Sequence, residues 1–312
     1  ELEHITPPTD EHMEKLKSAL LWGADAVRDC DGTSLGDNPK QMAEKVYYTY
    51  FIVRGDNKWA AAHPEETHRT FLCSDRVVAQ NGKASIIPAK GFLKEQIEPD
   101  WEQLARWQVF DRTTGEEIHG WTADEKNGTI IVKGAQDYHE YTVNFMAKVL
   151  WHPVQIYNYL TNSWTCEKQK MYDPSFPYTK EYVKSFAEKW CEDHPEINVV
   201  RFTTFLYQFS LIFNELGREK YVDWFGYTLA ASPVLLDEFE QQYGYKLTSE
   251  DIVDNGCYNN PFRVPNKKYL DYMDFVERRV TKTVRELVDI VHSHGKEAMM
   301  FLGDDWIGAE PY

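Results

Sequence analysis

The chain of 312 residues carries 50 acidic against 34 basic side chains, a formal charge of −16 with no basic block, which disfavours nucleic acid and anionic membranes as partners. Hydrophobic residues make up 42% and aromatic residues 14%, ample for a large core and unlike a disordered segment. No run approaches the ~18 apolar residues of a membrane span, the N-terminus has no export signal, and five cysteines without a C-x-x-C pair suit reduced thiols in a cytoplasm better than disulfides or structural zinc.

In chain order, Asp10 can cap a helix to about Leu21, with Met13, Leu16 and Leu20 on one face and Gly23 ending it. Residues 24–28 read as a short strand with Arg28 at its C-terminal end, and the spacing of Met42, Val46 and Tyr50 predicts a helix over 39–50. From about 70 to 134 the pattern turns to alternation. Turns are expected at Thr113-Thr-Gly115 and at Asn127-Gly128, the second between Trp121-Thr122 and a strand over 129–132. That stretch predicts a small antiparallel elaboration inserted into another architecture.

A long strand is expected over 141–151, followed by Val154 and Asn158 just past its end. Next come a helix over 179–191 with Tyr182, Phe186 and Trp190 spaced by four, and a strand over 198–205 that includes Arg201. The aromatic-rich segment 207–226, with Trp224 in it and Tyr227 next to it, reads as a loop lining a rim. Ser232-Pro233 opens a helix in the Ser-cap, Pro-first pattern. The last predicted helix, over 267–294, places Tyr269, Met273, Val276, Val280, Val284, Leu287 and Val291 on one stripe, and Gly295 closes it. An apolar run over 298–302 then leads to Gly303, Asp304, Asp305 and Trp306, with Glu310 one loop further on.

Strands and helices in alternation, each strand ending in a polar residue, give the rhythm of an α/β barrel or doubly wound sheet. About four such strands can be counted, near 26, 145, 200 and 300, where a closed barrel needs eight. The expected fold is therefore α/β: residues 1–312 as the N-terminal half of a (β/α)8 TIM-like barrel with a β-rich insertion over 70–134. The remaining strands and further domains are expected to belong to a longer chain. A half barrel leaves a sheet edge and apolar surface open, so the piece alone is expected to be inactive and poorly soluble.

The phosphate-loop, dinucleotide, serine-hydrolase and zincin motifs are all absent from the sequence. What remains is a set of polar residues at predicted strand ends: Arg28, Asn158, Arg201, Asp304 and Glu310. Taken singly, Asp304 could be a turn carboxylate and the arginines rim ion pairs. Taken together, one carboxylic acid to protonate a leaving oxygen and two guanidinium groups to grip an anion are what phosphorolysis of a glycoside needs. Phosphate is already an anion and needs no general base; a second carboxylate facing it would repel it. A galactoside hydrolase on the same barrel and a non-catalytic sugar-binding module, the latter suggested by ten Trp and nineteen Tyr, stay open on the residues alone.

The runs Trp22-Gly-Ala-Asp-Ala-Val-Arg28, Val199-Val-Arg-Phe-Thr-Thr-Phe205, Val222-Asp-Trp-Phe-Gly226, Tyr243-Gly-Tyr245 and Ala298-Met-Met-Phe-Leu-Gly-Asp304 resemble the 1,3-β-galactosyl-N-acetylhexosamine phosphorylases, which include the lacto-N-biose and galacto-N-biose phosphorylases of gut bacteria. The likeness runs from about residue 10 to Tyr312. It implies a partly irregular (β/α)8 catalytic domain in a longer, homodimeric cytoplasmic enzyme. That enzyme would convert galactosyl-β-1,3-N-acetylhexosamine and phosphate to α-galactose 1-phosphate and the free N-acetylhexosamine. It would do so with inversion and with no metal or organic cofactor, phosphate being a substrate. By the same resemblance Asp304 is the general acid. Arg28, Asn158, Arg201, Val154 and Trp224 line the sugar and phosphate site, Glu310 binds a sugar hydroxyl, and the bulky Tyr227 narrows the acceptor subsite.

Overall fold

Lys45-Val-Tyr-Tyr-Thr-Tyr50 is a strand, not the end of the helix expected over 39–50. Met42, Val46 and Tyr50 are spaced by four, a helical interval that is also an even one, and the run between them is β-branched and aromatic, which suits a pleated surface. The computed structural model describes residues 10–29, 43–50, 57–151, 170–202, 210–223, 229–260 and 262–300. Its chain divides into two units, one of Glu1–Ile52, Lys180–Leu206 and Val280–Tyr312, the other of Val53–Thr179 and Tyr207–Arg279.

The first unit holds a four-stranded parallel sheet in the order Ala26–Asp29, Lys45–Tyr50, Val199–Phe202, Glu297–Met300. Its core gathers Val27, Val46 and Ile197, with Leu16 and Leu20 of the helix Asp10–Leu21, Ala43, Tyr48 and Trp190 packed around them. Full burial of such a side chain contributes about 1.5–3 kcal/mol, enough for tertiary packing to override a helical spacing. On the helix Pro177–Asp193 the buried stripe is Val183, Ala187 and Cys191, one position round from the expected aromatic one. Tyr182, Phe186 and Trp190 flank it half-buried, because the smaller side chains allow the closer approach.

The second unit is mostly antiparallel. Glu140–Val149, expected as a barrel strand over 141–151, instead pairs antiparallel with Arg69–Cys73, Val77–Val78, Ile97–Pro99 and Gln108–Asp111. Its residues 141–147 are buried without a break, since it lies at the centre of a six-stranded sheet with both faces covered. The β-rich region thus reaches beyond the expected 70–134. A separate three-stranded sheet joins Lys83–Ile86, Thr129–Lys133 and Trp121–Asp124. The last two are connected through Asn127-Gly128 as expected, with Gly128 left-handed at φ +62°. Part of the expected rim loop is a hairpin, Ser210–Phe213 against Glu219–Asp223.

Two helix readings hold closely. Ser232 caps Pro233–Tyr243 by accepting from Leu235 N at 3.3 Å, and Gly244 ends it at φ +78°. Lys267–Ser293 buries Tyr269, Val276, Val280, Val284, Leu287 and Val291 of the expected stripe, while Met273 is half-buried and Tyr272 and Phe275 join the buried set.

Candidate active site

The parallel sheet has two unlike faces. Tyr47 stands in register with Arg28 on one side and Val199 on the other; Thr49 is in register with Arg201, which in turn pairs with Met299. Side chains alternate along a strand, so positions 28, 47, 49, 201 and 299 share one face. The other face carries Val27, Val46 and Tyr48 against the helices, with Tyr48 and Trp190 rings 5.2 Å apart. On the first face Tyr47 and Arg201 are half-buried and Met299 is exposed.

The N-terminal end of this face is bridged by a solvent-exposed ion pair. Lys45 Nζ donates to Glu297 Oε1 at 2.5 Å, joining strands that lie on either side of Val199 and so passing over that residue, which is buried. The hydrogen bond and charge of Glu297 raise the Lys45 ammonium above its usual range. The half-buried Arg201 position therefore lies towards the C-terminal end, where barrels present catalytic groups.

Register is fixed by polar groups that the sequence reading passed over. Val46 N donates to Asn198 Oδ1 at 2.9 Å, and Glu297 N donates to the Asn198 carbonyl at 2.9 Å. The buried Lys296 sends Nζ to the carbonyls of His194 (2.7 Å) and Ile197 (2.8 Å). This clamps the turn that feeds the Arg201 strand to the start of the strand that leads towards Asp304. An ammonium meeting two carbonyls at the head of a strand holds the pair in parallel register, and a one-residue slip would move Arg201 to the helix face.

Of the residues expected at the site, Arg28 and Arg201 are brought to one face of one sheet, on strands separated by Lys45–Tyr50. Val154, Asn158, Trp224, Tyr227, Asp304 and Glu310 lie outside the described residues. Tyr47 was missed because its strand reads as helix; the alternation of Val46 and Tyr48 on one side with Tyr47 and Thr49 on the other was the available signal.

The second unit places its charges differently. Arg69, buried, donates Nε to Asp100 Oδ2 at 2.6 Å and Nη1 to the carbonyls of Glu65 and Thr67. Arg112 grips both Glu250 oxygens (2.7 and 2.9 Å) and also reaches Thr142 and Asn144. A cavity of about 250 Å³ beside Cys73, Thr142 and Tyr258 has its cations occupied, with Lys220 on Asp75 at 2.7 Å and Arg76 on Glu140 at 2.6 Å. Burial pushes the Cys73 thiol up against the pull of Arg112. Cys73, Cys191 and Cys257 are free thiols. Among the described residues no cluster of His, Cys, Asp or Glu could hold a metal ion, and no helix is long and apolar enough to cross a membrane.

A parallel sheet backed by helices on one face, with arginines towards the strand ends of the other, is the construction of barrel enzymes that work at their C-terminal rim. Residues 3–312 match the family described as the lacto-N-biose phosphorylase N-terminal TIM barrel domain, and the chain belongs to that family. The expected fold class, the N-terminal part of a TIM-type barrel with an antiparallel elaboration, accords with this match and with the sheets described above.

Among curated relatives, the 1,3-beta-galactosyl-N-acetylhexosamine phosphorylase Cphy3030 of Lachnoclostridium phytofermentans is 45% identical over 99% of this chain and 44% of its own length. The 1,3-beta-galactosyl-N-acetylhexosamine phosphorylase of Bifidobacterium longum is 45% identical over 99% of this chain and 42% of its own. A D-galactosyl-beta-1->4-L-rhamnose phosphorylase of L. phytofermentans is 38% identical over 99% and 44%. The chain thus spans less than half the length of these relatives.

Proposed function

We propose that the chain supplies the general acid and part of the phosphate site of a galactoside phosphorylase that cleaves galactosyl-β-1,3-N-acetylhexosamines. The products are α-galactose 1-phosphate and free GlcNAc or GalNAc. The observation that carries the reading is the shared face of positions 28 and 201, on a sheet whose next strand leads towards Asp304. Asp304 follows Met300 by four residues, a reach of at most about 14 Å.

In this reading Asp304 donates its proton to the leaving O3. Phosphate, held by Arg28 and Arg201, attacks the anomeric carbon from the opposite side, which inverts the configuration. Asn158, Glu310, Val154 and Trp224 contact the sugars, and Tyr227 limits the acceptor subsite. The chemistry asks for no metal or organic cofactor, because the nucleophile arrives already ionised. The longer chain works as a cytoplasmic homodimer. The relative named a D-galactosyl-beta-1->4-L-rhamnose phosphorylase supports keeping the galactosyl side fixed and testing the acceptor with a panel of sugars.

The test is phosphate-dependent release of galactose 1-phosphate by the longer parent chain. Asp304→Asn, which removes the proton donor and keeps the shape, should lower kcat by about 10²–10⁴-fold while sparing sugar binding. Release of free galactose at the same rate without phosphate would establish a hydrolase instead.

A further inference from the structure

We infer that Tyr47 is a phosphate-binding residue, its phenol O–H donating to the anion held between Arg28 and Arg201; this rests on the phosphorylase reading above. The two arginine positions lie on strands separated by the strand of Tyr47. Position 28 is level with Tyr47 and Val199, and Arg201 is two residues further along. At ordinary sheet spacings, about 4.8 Å between strands and about 3.3 Å per residue, their Cα positions are roughly 12 Å apart.

An anion gripped by guanidinium groups from both positions therefore lies over the middle strand. On that strand positions 47 and 49 fall on the same face, 47 level with position 28 and 49 level with position 201. Lys45, the other residue of the strand on this face, is taken up by Glu297 at the far end.

The side chain of Tyr47 is half-buried, and among the described residues its hydroxyl has no hydrogen-bond partner. Half-buried phenols ordinarily find one, and a phenol beside guanidinium groups is a suitable neutral donor: it adds a hydrogen bond to an anionic oxygen without adding charge. Its neighbour Tyr48 serves as a built-in contrast, since it faces the helices and packs on Trp190.

The experiment uses the longer parent chain with inorganic phosphate and a β-1,3-linked galactosyl-N-acetylhexosamine. Tyr47→Phe should raise the KM for phosphate about tenfold or more, the size of a lost hydrogen bond to a charged group. The disaccharide KM and the melting temperature should stay near those of the unsubstituted enzyme, and Tyr48→Phe should leave the phosphate KM unchanged. An unaltered phosphate KM in Tyr47→Phe overturns the assignment. So does an equal rise in Tyr48→Phe, or a change confined to the disaccharide KM. If the unsubstituted enzyme cleaves its substrate without phosphate, it is the phosphorylase reading that fails, and the two failures are separable.

Discussion

The two units of this protein place arginine differently. In the antiparallel unit the guanidinium groups of Arg69 and Arg112 are enclosed by carboxylates, hydroxyls and carbonyls, and they hold strands and helices together. In the parallel sheet the two arginine positions share a face whose N-terminal end is bridged by the exposed Lys45–Glu297 pair, while Tyr47 and Arg201 are half-buried. The enclosed guanidinium groups are structural parts; positions 28 and 201 are where the proposed anion site would draw its charge. The division separates a load on folding from a capacity for chemistry, and each side can be tested.

The largest stability effect should come from the closed side. Arg69→Met leaves the carboxylate of Asp100, 1% exposed, with the longer contact to Lys148 at 3.9 Å in place of its 2.6 Å pair, and should cost about 3 kcal/mol in urea unfolding. A loss below 1 kcal/mol would mean that the pair is not holding the unit.

A smaller effect should appear as a pH dependence. Burial pushes the Asp111 carboxyl up, but the hydrogen bond from His139 and those from the Thr113 and Thr114 amides outweigh it and hold the carboxyl below its usual range. A lowered native value contributes stability that is fully present above about pH 4, the unfolded value, and is lost as pH falls through the native one. Asp111→Asn should therefore flatten the acid limb of a stability–pH curve below about pH 4. An acid limb identical to that of the unsubstituted chain would assign this role to other carboxylates.

The smallest effect should be at Lys45. Its pair with Glu297 is solvent-exposed, so Lys45→Gln should leave the melting temperature almost unchanged, with whatever difference there is shrinking in high salt. A large, salt-insensitive loss would show that the corner of the sheet is more closed than it looks.

Much of this architecture was legible in the sequence where local signals and tertiary packing agree. Ser232-Pro233, Asn127-Gly128 and the stripe of Lys267–Ser293 specify a cap, a turn and a buried face by local chemistry, and these hold, with Met273 alone of the stripe half-buried. The misreadings have one physical cause: pattern reports burial but not partner. Residues 141–147 form an apolar run that suits a buried strand of any sheet, and only the pairing with Arg69–Cys73 and Gln108–Asp111 assigns it to the antiparallel one. The run before Tyr50 satisfies a four-residue period and an alternating one together. Arg28 and Arg201 were identified as strand-end residues from sequence, but that Tyr47 stands between them follows from strand order, which periodicity does not encode.

The measurement that bears most directly on the candidate site is the phosphate dependence of Arg201→Ala in the longer parent chain. The phosphate KM should rise at least tenfold, from loss of charge-assisted hydrogen bonds, beyond whatever change the substitution makes to the melting temperature. A phosphate KM equal to that of the unsubstituted enzyme would remove Arg201 from the anion site and contradict the account.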